Sequence, residues 1–195
     1  MAIRRFSNSS IATGAKSSKL WDGETFPGYF ESIATVTLSS ASASVDFNSL
    51  PTTYTHLQLR YSIVSQAGTN DFSLGMNGSF SIANSSSHIM FAYQGNGTSA
   101  QNQSSFNFVT LHLGLSASVP STHIMSGIVD ILDYRNTNKT KTIRHMFCHN
   151  RNTDGFVALS SGNLNSTSAM TSLNLYNGYN WGAGTTFELY GIRGA

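Results

Sequence analysis

From Phe30 to Arg193 the chain shows short stretches in which apolar residues recur at every second position, and no segment sustains helical apolar spacing for three turns. Side chains of an extended strand point alternately to two faces, so this period predicts strands half-buried against a core. The stretch HLQLRYSIV sets Leu57, Leu59, Tyr61 and Ile63 on one face and His56, Gln58, Arg60 and Ser62 on the other. FESIATVTLSS alternates likewise and is rich in β-branched residues, which suit a pleated surface. Further candidate strands are ASVDFNSL, DFSLGM, SHIMFAYQ, FNFVTLHLGL, GIVDILDY, KTIRHMFCH, GFVALSSG, MTSLNLYN and TTFELYGIR. Roughly ten short strands with Gly, Asn and Ser between them predict an all-β sandwich or barrel. The expected form is a jelly-roll-like antiparallel β-sandwich with an extended N-terminal arm.

The arm is residues 1–27, and the sandwich domain is 28–195. Arg4, Arg5, Lys16 and Lys19 precede the first acid, Asp22, so the arm carries four positive charges up to that point. The arm is rich in Ser, Gly and Ala and lacks apolar periodicity, so it has no core of its own. Its order is expected to come from a partner. Its start has no hydrophobic h-region and does not read as a secretory signal. No apolar run approaches the roughly 18 residues that span a bilayer, so no membrane insertion is expected. The single cysteine, Cys148, excludes an intrachain disulfide framework. The recurrent Asn-x-Ser/Thr sequons read as products of an Asn- and Ser-rich composition.

Charge is scarce and unevenly placed. Charged residues are 10% of the chain, against about 25% in ordinary soluble domains. The 195 residues are 39% hydrophobic, enough for a folded core. Little like-charge repulsion keeps such surfaces apart, so they suit contact with copies of themselves or with neutral polar ligands such as glycans. Phe72 to Val129 holds no Asp, Glu, Lys or Arg, and this neutral stretch, with QGNGTSAQNQSS at its middle, reads as one or two extended loops beside its candidate strands. Directly after it, DILDYRNTNKTKTIRHMFCHN packs in charges of both signs. Its two halves form a hairpin about Thr137–Asn138, with Asp130 opposite Arg144 or, one residue out of step, His145. Asp133 then falls near Thr142 or Lys141. Acid facing base across strands fixes a register that could otherwise slip. Asp130, between Ile128 and Leu132, is expected to be partly buried.

The search for chemistry points away from an enzyme. Asp130 and Asp133, three apart on a strand, point to opposite faces and cannot act as a glycosidase pair. His145 and His149 share a face but lack the further ligands a metal needs. No nucleophile setting of the G-x-S-x-G kind occurs, and no Gly-rich stretch sits between strand and helix as a phosphate loop. No cofactor, metal or nucleic acid is expected. YNGYNWGAG, read as a loop, gathers Tyr176, Tyr179 and Trp181 as a candidate surface for a glycan or a protein. The same aromatics also suit plugging the end of a sandwich.

A family likeness lies on these residues. SGIVDILDYRNTNKTKTIR, LSSGNLNSTSAMTSLNLY and TTFELYGIR resemble the C-terminal half of a group of tailed-bacteriophage virion proteins. These proteins, frequent in marine and cyanobacterial phages, are often labelled tail fibre or structural protein. FESIATVTLSSASASVDFNSLPTTYTHLQLRYSI is similar to the opening of that domain, and TGAKSSKLWDGETFPGYFESIATVTL to its lead-in. The likeness runs from Thr13 and is weakest over 75–120. It implies a non-enzymatic β-sandwich building block located in the virion, a tail-fibre or appendage component acting as a homo-oligomer, expected to be a trimer. The arm then joins it to capsid, neck or tail proteins, with Arg4, Arg5, Lys16 and Lys19 seeking acidic surface and Trp21, Phe26 and Tyr29 filling apolar pockets. The alternatives are a capsid decoration protein and a glycan-binding module for host recognition.

Overall fold

The computed structural model describes residues 29–64, 72–93, 97–106, 109–111, 124–150 and 155–194. Among them no residue is helical, and the chain runs through twelve strands. These are β1 (Phe30–Thr37), β2 (Ser42–Phe47), β3 (His56–Val64), β4 (Phe72–Met76), β5 (Ser85–Tyr93) and β6 (Gly97–Phe106). There follow β7 (Val109–Leu111), β8 (Ile124–Leu132), β9 (Lys141–Asn150), β10 (Gly155–Leu164), β11 (Leu173–Trp181) and β12 (Thr186–Ile192). An eight-stranded sheet has the order β1-β12-β3-β8-β9-β10-β5-β6, and a four-stranded sheet the order β2-β11-β4-β7. Every ladder is antiparallel.

The pairing defines the expected class. Without β5, β6, β9 and β10, two four-stranded sheets remain, β1-β12-β3-β8 and β2-β11-β4-β7. In that set the first four strands pair with the last four in reverse: β1 with β12, β2 with β11, β3 with β8 and β4 with β7. An antiparallel ribbon wrapped so that its two halves pair this way is a jelly roll. The remaining strands are two added pairs, β9–β10 and β5–β6, which continue the larger sheet beyond β8.

Alternation places the core as expected. Leu57, Leu59, Tyr61 and Ile63 of β3 are all buried, as are Met125, Val129 and Ile131 of β8 and Phe187 and Leu189 of β12. From the smaller sheet come Val45, Phe47, Leu74, Met76, Leu173 and Leu175. Each such side chain removed from water contributes about 1.5–3 kcal/mol. Two stretches differ from the sequence reading. Most of QGNGTSAQNQSS is strand β6, paired along β5, and YNGYNW belongs to β11 rather than to a loop.

A polar line crosses this core. The Tyr61 hydroxyl meets His145 Nε2 at 2.6 Å, and His145 Nδ1 meets Ser160 Oγ at 3.2 Å, tying β3 to β9 and β10 from inside. Gly127 makes room for it: a Cβ there would lie 2.3 Å from the Tyr61 hydroxyl and 2.8 Å from Phe147 Cβ. Burial, with a smaller push from Cys148, holds the Tyr61 phenol well above its ordinary range. The folded chain therefore keeps that proton where the unfolded chain has lost it. Stability is full below the unfolded value of about 10 and falls as pH rises beyond it. Tyr61→Phe is expected to flatten this alkaline decline and to cost roughly 0.5–1.5 kcal/mol at neutral pH, read by urea unfolding across pH. Gly127→Ala is expected to cost about 1–3 kcal/mol through forced displacement of Tyr61 in the same assay.

Candidate interaction face on the extended sheet

The hairpin of β8 and β9 settles in one register. Asp130 pairs with Arg144 and Val129 with His145. His145 therefore lies on the core face and is not the partner of Asp130. The Asp130 carboxylate accepts from Arg144 Nη2 at 3.2 Å and from Gln58 Nε2 at 2.9 Å, so one acid ties β8 to both neighbours. Gln58 Oε1 in turn accepts from Arg60 Nε at 3.0 Å. The Arg60 guanidinium lies 5.2 Å from the ring centres of both Phe30 and Tyr190, which stack on each other at 4.8 Å.

Asp133 leaves the ladder with φ of 51°, a backbone state that Asp tolerates better than most residues. Its carboxylate meets Lys139 Nζ at 3.3 Å, and its N–H donates to His56 Nδ1 at 2.9 Å. Lys141 is fully buried; its ammonium donates to the carbonyls of Asn136 (2.5 Å) and Lys139 (3.1 Å) and closes the turn. Burial lowers its pKa, opposed by the charge of Asp133. Tyr134, also buried, donates its hydroxyl to the Pro51 carbonyl.

Beside the polar row of Gln58, Asp130 and Arg144 runs an apolar one. Ile128, Met146, Leu159, Met90 and Ala100 are successive cross-strand neighbours from β8 to β6 on the outer face. Met90, Met146 and Leu159 are 57%, 51% and 50% exposed. Val157 and Ile124, exposed on the same face, widen the strip, and Cys148 lies beside Val157 in register. The row floors a shallow groove of about 1270 Å³ that Gln58, His88, Gln101, Asp130 and Arg144 also line. Among the described residues, no three His, Cys, Asp or Glu side chains come together as a metal site.

The residues singled out from sequence are dispersed. Tyr176 and Tyr179 are exposed on β11 in the smaller sheet, but Trp181 is fully buried against Phe187, with ring centres 4.8 Å apart. Trp181 is a core residue and offers no platform for a glycan. Tyr29 is exposed at the start of β1, and its carbonyl accepts from the Arg193 N–H. Arg4, Arg5, Lys16, Lys19, Trp21 and Phe26 lie outside the described residues. The apolar row was missed, although a signal existed. FVAL and HIMFAY break alternation and put apolar residues on both faces, the pattern of strands covered on both sides.

This chain matches no family model, no curated protein and no solved structure. The class that the described residues define is an antiparallel jelly-roll sandwich with one sheet doubled in width.

A double-mutant cycle on Asp130→Ala and Arg144→Ala measures the register lock. The expected coupling is about 0.2–1 kcal/mol at low salt, since the arginine is largely exposed, and it should shrink toward zero at about 1 M salt.

Proposed function

We propose that this chain is a non-enzymatic structural protein of a tailed-phage virion, a tail-fibre or appendage component that works as a homo-oligomer anchored by its N-terminal arm. The observation that carries the reading is the use made of the extra chain. The two pairs added to the jelly roll widen one sheet into a broad, nearly neutral face, and among the described residues it carries an open, shallow groove. Such a face suits contact with another protein surface. The three quoted stretches that resemble phage virion proteins supply the setting, and they include most of β8, the start of β9, parts of β10 and β11, and all of β12. Cement for a capsid is the same chemistry at another place in the particle.

A glycan-binding role in host recognition is the second reading. The groove favours it, because Gln58, His88 and Gln101 offer hydrogen-bonding groups beside an apolar floor. Against it, the exposed tyrosines of β11 are on the other sheet, and among the described residues no Phe, Tyr or Trp lines the groove to stack on a sugar.

The division of labour between arm and sandwich is tested by deleting Met1–Lys19. The arm lacks apolar periodicity, so stability should change by no more than roughly 1 kcal/mol. Attachment to particles that lack the native protein should be lost. Changing Arg4, Arg5, Lys16 and Lys19 to Ser should weaken attachment and leave the remainder less sensitive to salt. A truncated chain that still joins particles normally places the attachment site on the sandwich.

A further inference from the structure

We propose that the outer face of the extended sheet is the contact between two copies of this chain. They are related by a two-fold axis that lays the Ile128–Met146–Leu159–Met90 row of one copy on that of the other. The inference rests on the homo-oligomeric reading above and gives it a place and a symmetry.

The first support is where the exposed apolar side chains lie. Of the nine large ones on the described residues, five are on this face: Met90, Ile124, Met146, Val157 and Leu159. The others are aromatic and stand apart, Tyr29 and Phe30 at β1 and Tyr176 and Tyr179 on β11. Among the described residues no second aliphatic patch is there to receive this one in a head-to-tail contact. Only the same face on a second copy covers the apolar residues of both partners, which is the requirement of an isologous contact.

Size agrees. Strands β8, β9, β10, β5 and β6 are nine or ten residues long. Side by side at about 4.8 Å and rising about 3.3 Å per residue, they make a face of roughly 24 Å by 30 Å, or roughly 700 Å². A stable interface takes about 800 Å² from each partner. Two twisted sheets packed face to face with their strands about 30° apart interdigitate side chains in this way inside a sandwich.

Charge agrees as well. Asp130 and Arg144, the charged residues of the groove, are already paired within the chain, so an identical face approaching them brings no net charge. The stretch 72–129, which supplies β5, β6 and most of β8, has no Asp, Glu, Lys or Arg at all. Methionines at two of the four row positions let the row adapt to its own image.

The experiment is sedimentation of the full chain over a concentration series, with the reactivity of its only cysteine as a second readout. The expected result is a concentration-dependent dimer, or a multiple of it, that persists from low salt to about 1 M salt. Leu159→Glu should yield folded monomers with the circular dichroism of the parent, and Leu159→Met should associate as the parent does. Cys148 should react with a bulky maleimide at least about tenfold more slowly in the associated form. Should Leu159→Glu fail to fold, the cysteine protection in the unaltered chain still decides. A chain that is monomeric at every concentration overturns both this inference and the homo-oligomeric reading. An oligomer that leaves Cys148 open and survives Leu159→Glu, a trimer included, keeps that reading and overturns this face. A monomer whose Leu159→Glu variant fails to join particles assigns the face to another protein instead.

Discussion

The larger sheet depends on one register, that of β8 against β9. Strands β9, β10, β5 and β6 are joined to the jelly roll in that sheet through this ladder. A slip of one residue would turn Ile143, His145 and Phe147 out to solvent and drive Arg144, Met146 and Cys148 into the core. Burial alone specifies against most of that exchange, since an arginine without a partner inside a core is costly. The outer face adds a directional restraint, because Asp130 accepts from Gln58 on one side and Arg144 on the other. The inner face adds another, because Tyr61 on β3, two strands away, and Ser160 on adjacent β10 hold His145 from either side. The same ladder is thus fixed from both of its faces.

The two faces of the extension are built for different neighbours. Inward, Ile143, Phe147, Phe156 and Ala158 are buried, with His149 and Phe156 stacked at 5.8 Å between ring centres. Outward, Met146, Val157 and Leu159 are half-exposed and apolar, and Arg144 is paired with Asp130. An outward row that had only to stay soluble would carry Lys, Glu or Thr, as exposed strand faces do. Retaining Met, Leu and Val at those positions has a cost in solubility that a covering surface removes. The pattern of substitution along β9 and β10 therefore speaks for contact as strongly as the shape of the groove does.

Much of the fold was legible in the sequence. Strand β3 was, because its alternation is complete and its turn residues are distinct. The β8–β9 hairpin was, because opposite charges at fixed separation admit few registers. Strand β6 was not. GTSAQNQSSF has little apolar alternation of its own, and it becomes a strand because β5 presents an edge to pair with. Strand β11 was read as ending early, since Asn and Gly after Tyr176 carry turn signals. Yet Asn177 and Trp181 are buried there, and packing overrides the local preference. Lys141 was read only as a cross-strand neighbour of Asp133, because its burial depends on carbonyls at Asn136 and Lys139, which no local pattern reveals. The candidate site was the least legible part. It is a row one residue deep on each of five strands, assembled only when all of their registers are known.

The scarcity of charge follows from the same geometry. A jelly roll doubled in width on one sheet has a large area on which an unpaired charge would oppose contact. In β8, β9 and the turn between them the acids and bases set register, at Asp130 and Arg144, or close the turn, at Asp133, Lys139 and Lys141. On the described residues of β5, β6 and β10, Ser, Thr, Asn and Gln supply the hydration. Amides and hydroxyls remain soluble in water, yet lose far less than ions do when a second surface excludes that water. In the proposed contact between copies this exchange helps twice. Solubility before contact rests on neutral hydrogen-bonding groups, and the contact itself is then insensitive to the ionic conditions around it. The charges concentrated between Asp130 and Arg144 therefore fix the shape of the face, while the neutral residues around them determine what it can meet.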